Sequence, residues 1–233
     1  ITVIDQFADL SSVVEDIGDS LFYKKLLDLG KVDDPQLLLP LSFTLPMIVM
    51  NTNDSAHIED EATIEIDELR RLSGEIEGEV VRMGFSPRWN PGTAYLYTRF
   101  FDVDFHETDE ALPAWNDVRL REAVEYIHSW SAELNDGPDR EEEFARTYLY
   151  DPGYRLVADG RIRFATMSFE DYRNVPGEIR ERLDFRWLSS SSSIPVDEDI
   201  VFIGRIRSTK KRRAANAFLV WLFDVETQKT LLE

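Results

Sequence analysis

The feature that most constrains the fold is an apolar run over residues 37–51 that is interrupted by two prolines. Because proline fixes φ and has no amide N–H, neither a helix nor a central strand continues through the run undisturbed. The run therefore predicts a short extended segment that turns at Ser42-Phe43, followed by a buried strand from Leu45 to Val49. The strand leads into a polar cluster at residues 51–55, so we expect the chain to pass here from one compact body into another.

Composition and charge narrow the class of protein. The 233 residues are 43% hydrophobic and 30% charged, which excludes a disordered chain. With 26 basic and 45 acidic residues the net charge is −19, a field that repels phosphate backbones and anionic lipid surfaces, so no nucleic-acid partner is expected. Cysteine is absent, which excludes disulfides and thiolate metal sites. No apolar run approaches the ~20 residues of a transmembrane helix.

Segments typical of strands alternate with segments typical of helices, which predicts an α/β protein. Strands are expected at residues 1–4, 80–85, 161–169 and 200–203, and helices at residues 20–29, 63–74, 93–101, 117–134 and 214–223. The clearest helix, 117–134, has an apolar stripe at helical spacing that consists of Leu120, Val124, Ile127, Trp130 and Leu134.

Several of these segments together resemble the extracellular solute-binding proteins of ABC importers, in the maltose-binding-like, carbohydrate-binding family. The matching segments are the Pro-Leu-Ser-Phe turn with the strand that ends at Asn51, Glu68-Leu69, residues 160–167, and the ending 221–229. They occur in the family's order along the whole chain. The family's tryptophan before Glu-Leu is missing here.

This resemblance implies a two-lobed, type II periplasmic-binding-protein-like fold. One lobe would contain residues 1–48 and 198–233, and the other residues 49–197. The segments 48–51 and 197–203 would be adjacent crossings that serve as the hinge. Because family members are longer, we expect flanking sequence at both ends.

The resemblance also implies a function. A sugar or similar polar solute would bind between the lobes and be delivered to a membrane permease. The protein would be a monomer at the periplasmic or extracellular face, with or without a lipid anchor. It would need no cofactor and no metal.

Aromatic residues in loops are the candidate ligand contacts. A sugar is held by a ring stacked on its C–H face and by polar groups at its hydroxyl rim. Three clusters have this composition: Trp89 and Asn90; Phe169, Glu170, Asp171 and Tyr172; and, from the other lobe, Ser42 and Phe43. The alternative is that these rings pack under loops, because most aromatic residues of a chain this size belong to its core.

Catalytic motifs are absent from the sequence. The three histidines are scattered and form no HExxH, so no zinc site is expected. Carboxylates at 102/104 or 107/109/110 leave open a carbohydrate-active hydrolase with an acidic cleft, although a solvated acidic face explains them more simply. A binding-fold protein that has lost transport is a third alternative.

One basic run, Lys210-Lys211-Arg212-Arg213, stands at the expected start of a helix. Positive charge there opposes the helix dipole, so the run does not serve helix stability. It either docks to a transporter or pairs with the acidic surface, and we interpret it as pairing with the acidic surface.

Overall fold

The computed structural model describes residues 3–74, 82–107, 113–191, 193–196, 200–208 and 210–232. The chain divides into two compact units. Unit 1 contains Ile1–Phe43 and Glu198–Glu233, and unit 2 contains Thr44–Asp197. Helices and strands alternate along the chain, so the predicted α/β class is confirmed.

The α-helices, in chain order, are α1 (Ser11–Ile17), α2 (Lys24–Asp28), α3 (Thr52–Ser55), α4 (Ile66–Gly74), α5 (Pro91–Phe100), α6 (Asp117–Leu134), α7 (Pro138–Tyr148), α8 (Gly153–Ala158), α9 (Phe169–Asn174), α10 (Gly177–Arg180), α11 (Arg212–Leu222) and α12 (Val225–Leu232). The strands are β1 (Leu38–Ser42), β2 (Met47–Asn51), β3 (Thr63–Glu65), β4 (Phe105–Glu107), β5 (Pro113–Trp115), β6 (Phe164–Met167), β7 (Leu183–Ser189) and β8 (Val201–Gly204). Short 3-10 helices cover Val3–Gln6, Asp19–Leu21 and Pro87–Trp89.

Unit 1 is built on an antiparallel pair, β1 and β8. Among the described residues β1 pairs with β8 alone, so proline is tolerated in this strand, and the register shifts between Pro40 and Ser42. The core of the unit consists of Leu10, Val13, Leu27, Leu39 and Leu219. The prediction of a strand at residues 1–4 is wrong for residues 3 and 4, because Val3–Gln6 form a 3-10 helix. Residues 1 and 2 lie outside the described residues.

Unit 2 contains a four-stranded sheet in the order β3-β7-β2-β6. The central strand β2 is antiparallel to both of its neighbours, and β3 is parallel to β7. Met47 and Val49 of β2 point into one core, and Ile48 and Met50 point into another. All four side chains are at most 1% exposed. The apolar run in the sequence is therefore continuous because this strand is covered on both faces.

The helices form a layer on each face of this sheet. Residues of α4, α5 and α6 pack with Ile48 and Met50, and residues of α7 and α8 pack with Met47 and Val49. This two-sided burial fixes which residues of each strand face which layer.

The expected pair of crossings is wrong. We predicted that residues 48–51 lie beside residues 197–203, but β2 lies between β6 and β7. The described part of the return segment forms β8, which pairs with β1 instead. The expected boundary after residue 48 falls inside β2, and the chain divides between Phe43 and Thr44.

The helix predictions hold for element type and fail in detail. Helix α6 has the predicted bounds, but Val124 is 54% exposed whereas Ala123 is fully buried. Thr63, expected near the start of α4, lies in β3, and the helix begins at Ile66. The strand expected at 80–85 does not form where the chain is described, since among residues 82–85 only Met83 pairs, in an isolated bridge with Ile162, and residues 80 and 81 lie outside the described residues.

Gly84 lies against the backbone of α4, where a Cβ would collide with Ser73. We predict that Gly84→Ala lowers the free energy of unfolding by about 1–3 kcal/mol, because neither backbone can move away cheaply. The matched control is Gly177→Ala, whose Cβ would have no heavy atom within 4 Å and which is expected to be neutral or slightly stabilising. Urea unfolding of both variants measures the difference. Equal stability of the two variants would contradict the tight packing of Gly84.

Candidate functional site

Four aromatic side chains form a continuous cluster in unit 2, which we call the aromatic patch: Phe169, Tyr172, Phe185 and Trp187. The ring centroids of Phe169 lie 6.0 Å from Phe185 and 6.1 Å from Trp187. The rings of Phe185 and Trp187 are 5.4 Å apart, and Tyr172 is 5.2 Å from Phe185. Phe169 is 45% exposed and the other three rings are half-buried, so the patch presents aromatic surface to solvent.

The patch follows from local structure. Phe185 and Trp187 are two residues apart in β7, so they share one face of the sheet. Met47, the first residue of β2, lies opposite both Trp187 and Met167, the last residue of β6. Helix α9 follows β6 directly and begins with Phe169. The patch thus lies near the end of the sheet at which β2 begins.

Polar groups accompany the rings. Ser168 caps α9 by accepting a hydrogen bond from the Asp171 amide, and its hydroxyl donates to the Asp171 carboxylate at 2.7 Å. Glu170 is exposed in the first turn of the same helix. Burial raises the pKa of Tyr172, and the Asp184 carboxylate raises it further, so its hydroxyl is protonated at neutral pH. Ring faces and carboxylates side by side suit a ligand with both C–H and hydroxyl groups.

Trp89 and Asn90 form a separate group in unit 2. One face of the Trp89 ring stacks on Phe144, at 5.5 Å and 17°, and its edge meets Phe85. Its Nε1 is buried without a hydrogen-bond partner in the described part of the chain. The Asn90 side chain caps α5 by accepting from the Gly92 amide at 2.8 Å. The local packing of both residues accounts for their positions at the start of α5.

A buried carboxylate holds the loop that carries Trp89. Glu141 of α7 is 2% exposed and accepts hydrogen bonds from Ser131, Asn135 and Arg88. Arg88 precedes Trp89 in the 3-10 helix, so this network connects the Trp89 loop to α6 and α7.

Ser42 and Phe43 belong to unit 1. Ser42 is exposed at the end of β1. Phe43 is half-buried, with its ring edge-on to Tyr23 at 5.6 Å. Both rings line an apolar cavity of about 340 Å³ that also includes Leu26 and Phe223.

The described residues provide no metal site. No group of histidine, aspartate and glutamate side chains among them could hold a metal ion. Asp102 and Asp104 are exposed, and Asp109 and Glu110 lie outside the described residues. Among the described residues, no helix combines the length and apolarity that crossing a bilayer requires.

Sequence reasoning missed Phe185 and Trp187. The signal was present as the alternation Leu183-x-Phe185-x-Trp187, which is typical of a strand with one apolar face. It was missed because charged residues stand between the rings: Asp184 and Arg186 pair on the opposite side of β7, at 2.9 Å.

Comparison with solved structures identifies the fold. The extracellular solute-binding protein from Staphylococcus aureus in complex with maltose matches with a TM-score of 0.65 and 11% identity, over 97% of this chain and 59% of that chain. The maltose-binding periplasmic protein of Listeria monocytogenes in complex with maltose gives 0.62 and 13%, over 97% and 58%. The bacterial solute receptor AcbH, which prefers β-D-galactopyranose, gives 0.63 and 14%, over 96% and 58%.

These matches show that the chain has the type II periplasmic-binding-protein fold, as predicted. The chain spans less than three-fifths of the length of these structures, at 58–59%. No protein-family model matches the sequence, and no curated protein matches it significantly.

The packing of Trp89 predicts how substitutions of this residue change the stability of the protein. Trp89→Ala should lower the free energy of unfolding by about 3 kcal/mol, because the stacking on Phe144 and the contact with Phe85 are lost. Trp89→Phe should stay within about 1 kcal/mol of the original protein, since it keeps a ring and removes the unpaired N–H. Thermal and urea unfolding measure both. A fully stable Trp89→Ala variant would show that the core does not need this ring.

Proposed function

We propose that this chain is the solute-binding component of an ABC importer and that it binds a carbohydrate or a similar small polar solute. The aromatic patch carries the proposal, because it offers exposed ring surface beside carboxylates at the end of a rigid sheet. The fold supports it, since the similar structures from S. aureus and L. monocytogenes contain maltose and AcbH prefers a galactopyranose.

Each part of the patch has a proposed role. Phe169 stacks on the C–H face of the sugar. Trp187 and Phe185, which belong to β7, contact the Phe169 ring and hold it in position. Glu170 and the free oxygen of Asp171 accept hydrogen bonds from hydroxyl groups, and the protonated Tyr172 hydroxyl contributes to the polar rim. Trp89 with Asn90, and Ser42 with Phe43, remain proposed as further contacts.

The proposed activity is binding and delivery rather than catalysis. The protein would act at the periplasmic or extracellular face and present the bound solute to the membrane subunits of the importer. The solved structures of similar fold are solute-binding proteins, which favours binding over hydrolysis.

Substitution of Phe169 tests the proposal. Phe169→Ala should weaken sugar binding about five- to thirtyfold, because a stacked ring contributes about 1–2 kcal/mol. The ring is 45% exposed, so the variant should fold. Maltose and D-galactose, the sugars of the similar structures, are first screened by melting temperature, because a ligand bound only by the native state raises it. Affinities then follow from calorimetric titration.

The matched control is Phe218→Ala, which removes an equally exposed phenylalanine, 50% exposed, from unit 1. It should leave sugar affinity unchanged. The proposal fails if no sugar raises the melting temperature, or if the affinity of a binding sugar is the same in the Phe169→Ala variant and in the original protein.

A further inference from the structure

The segment Ile200–Phe223, here called the basic segment, has a charge opposite to that of the rest of the chain. It contains no acidic residue, whereas the whole chain has a net charge of −19. Its basic residues are Arg205, Arg207, Lys210, Lys211, Arg212 and Arg213. Such a local excess of one sign creates a positive surface on an otherwise acidic protein.

The cations at the start of α11 have no ion-pair partner among the described residues. Residues 210–213 are all exposed, and none has an ion-pair partner in the described part of the chain. The interpretation that they pair with the acidic surface stays a prediction, since the described residues provide no such partner. Arg207 differs, since it donates a hydrogen bond to the Phe7 carbonyl at 2.7 Å. Four cations at a helix start oppose the helix dipole, so helix stability does not explain them.

Exposed aromatic side chains lie on the same helix. Phe218 and Trp221 are 50% and 54% exposed, and their ring centroids are 5.6 Å apart. The other side of α11 is anchored by Leu219 and Leu222, which are buried. A helix with one side anchored in its domain, exposed aromatic rings and a cluster of cations has the composition of helices that lie in the headgroup region of a bilayer.

We propose that the basic segment binds the surface of an anionic phospholipid membrane. Residues 210–213 contact headgroup phosphates, while Phe218 and Trp221 enter the boundary between headgroups and acyl chains. This proposal does not depend on sugar binding. An acidic protein surface would match the same cations, and binding to polyglutamate distinguishes it from a membrane.

The overall negative charge does not prevent this contact. Exposed charges separated by more than the Debye length of ~10 Å at 0.1 M salt are largely screened. Helix α11 is about 16 Å long. The first acidic residue after the cluster is Asp224, beyond the end of that helix. Glu15 and Asp16 stand on α1, which packs against α11, and they weaken the attraction of the cations to the membrane without cancelling four positive charges.

Sedimentation with lipid vesicles tests the proposal on the full chain. The protein should bind vesicles of phosphatidylcholine with phosphatidylglycerol, bind vesicles of phosphatidylcholine alone much more weakly, and dissociate at high salt. The quadruple variant Lys210→Gln/Lys211→Gln/Arg212→Gln/Arg213→Gln should bind at least about tenfold more weakly.

A charge-matched control separates the location of the cations from their number. Lys24→Gln/Lys25→Gln/Arg121→Gln/Arg173→Gln removes the same charge from exposed positions elsewhere and should leave vesicle binding nearly unchanged. The double variant Phe218→Ser/Trp221→Ser should also bind more weakly and lose any blue shift of tryptophan fluorescence on vesicles. Circular dichroism melting establishes that each variant is folded.

Three results would overturn the proposal. The first is the absence of binding that depends on phosphatidylglycerol. The second is an equal loss of binding in the two quadruple variants. The third is binding to polyglutamate without binding to vesicles, which would make an acidic protein the partner.

Discussion

The placement of β2 between β6 and β7 is the constraint on which unit 2 depends. Four consecutive side chains of this strand are buried alternately in two cores, so the strand cannot shift by one residue without exchanging its faces. Each fully buried aliphatic side chain contributes about 1.5–3 kcal/mol from burial. Pro46 stands immediately before the strand, where its missing N–H leaves the pairing of β2 intact.

The same pairing positions the aromatic patch. Met47 fixes the register of Trp187 on one side and of Met167 on the other, and the chain turns into α9 after Met167. The Phe169 ring at the start of α9 is thereby brought beside the Phe185 and Trp187 rings of β7. Helix α9 follows β6, and β2 separates β6 from β7 in the sheet. The geometry of the candidate site is therefore a consequence of strand order rather than of loop sequence.

The sequence predicted an element correctly where its hydrophobic pattern extends over many residues. Helix α6 and the α/β class were predicted correctly, and the order of weak family-like segments indicated the fold. It failed for topology: nothing in the run around Pro46 distinguishes a strand that connects two units from one that lies at the centre of the second. Both are apolar throughout, and the difference depends on partners more than 100 residues away in the chain.

The candidate site was predictable only in part. Phe169 to Tyr172 were recognised because rings and carboxylates are adjacent in sequence. Trp187 and Phe185 were not, because they meet Phe169 only after the sheet forms. Trp89 was recognised by composition alone, and its stacking on Phe144 was not visible in the sequence.

The central claim is that the aromatic patch binds a carbohydrate. The most direct test is a crystal structure of the protein with the sugar that raises its melting temperature most. The expected result is a pyranose ring whose C–H face stacks on Phe169 beside Trp187, with hydroxyl groups hydrogen-bonded to Glu170 or Asp171. A sugar bound away from the patch, with Phe169 uncovered, would contradict the claim.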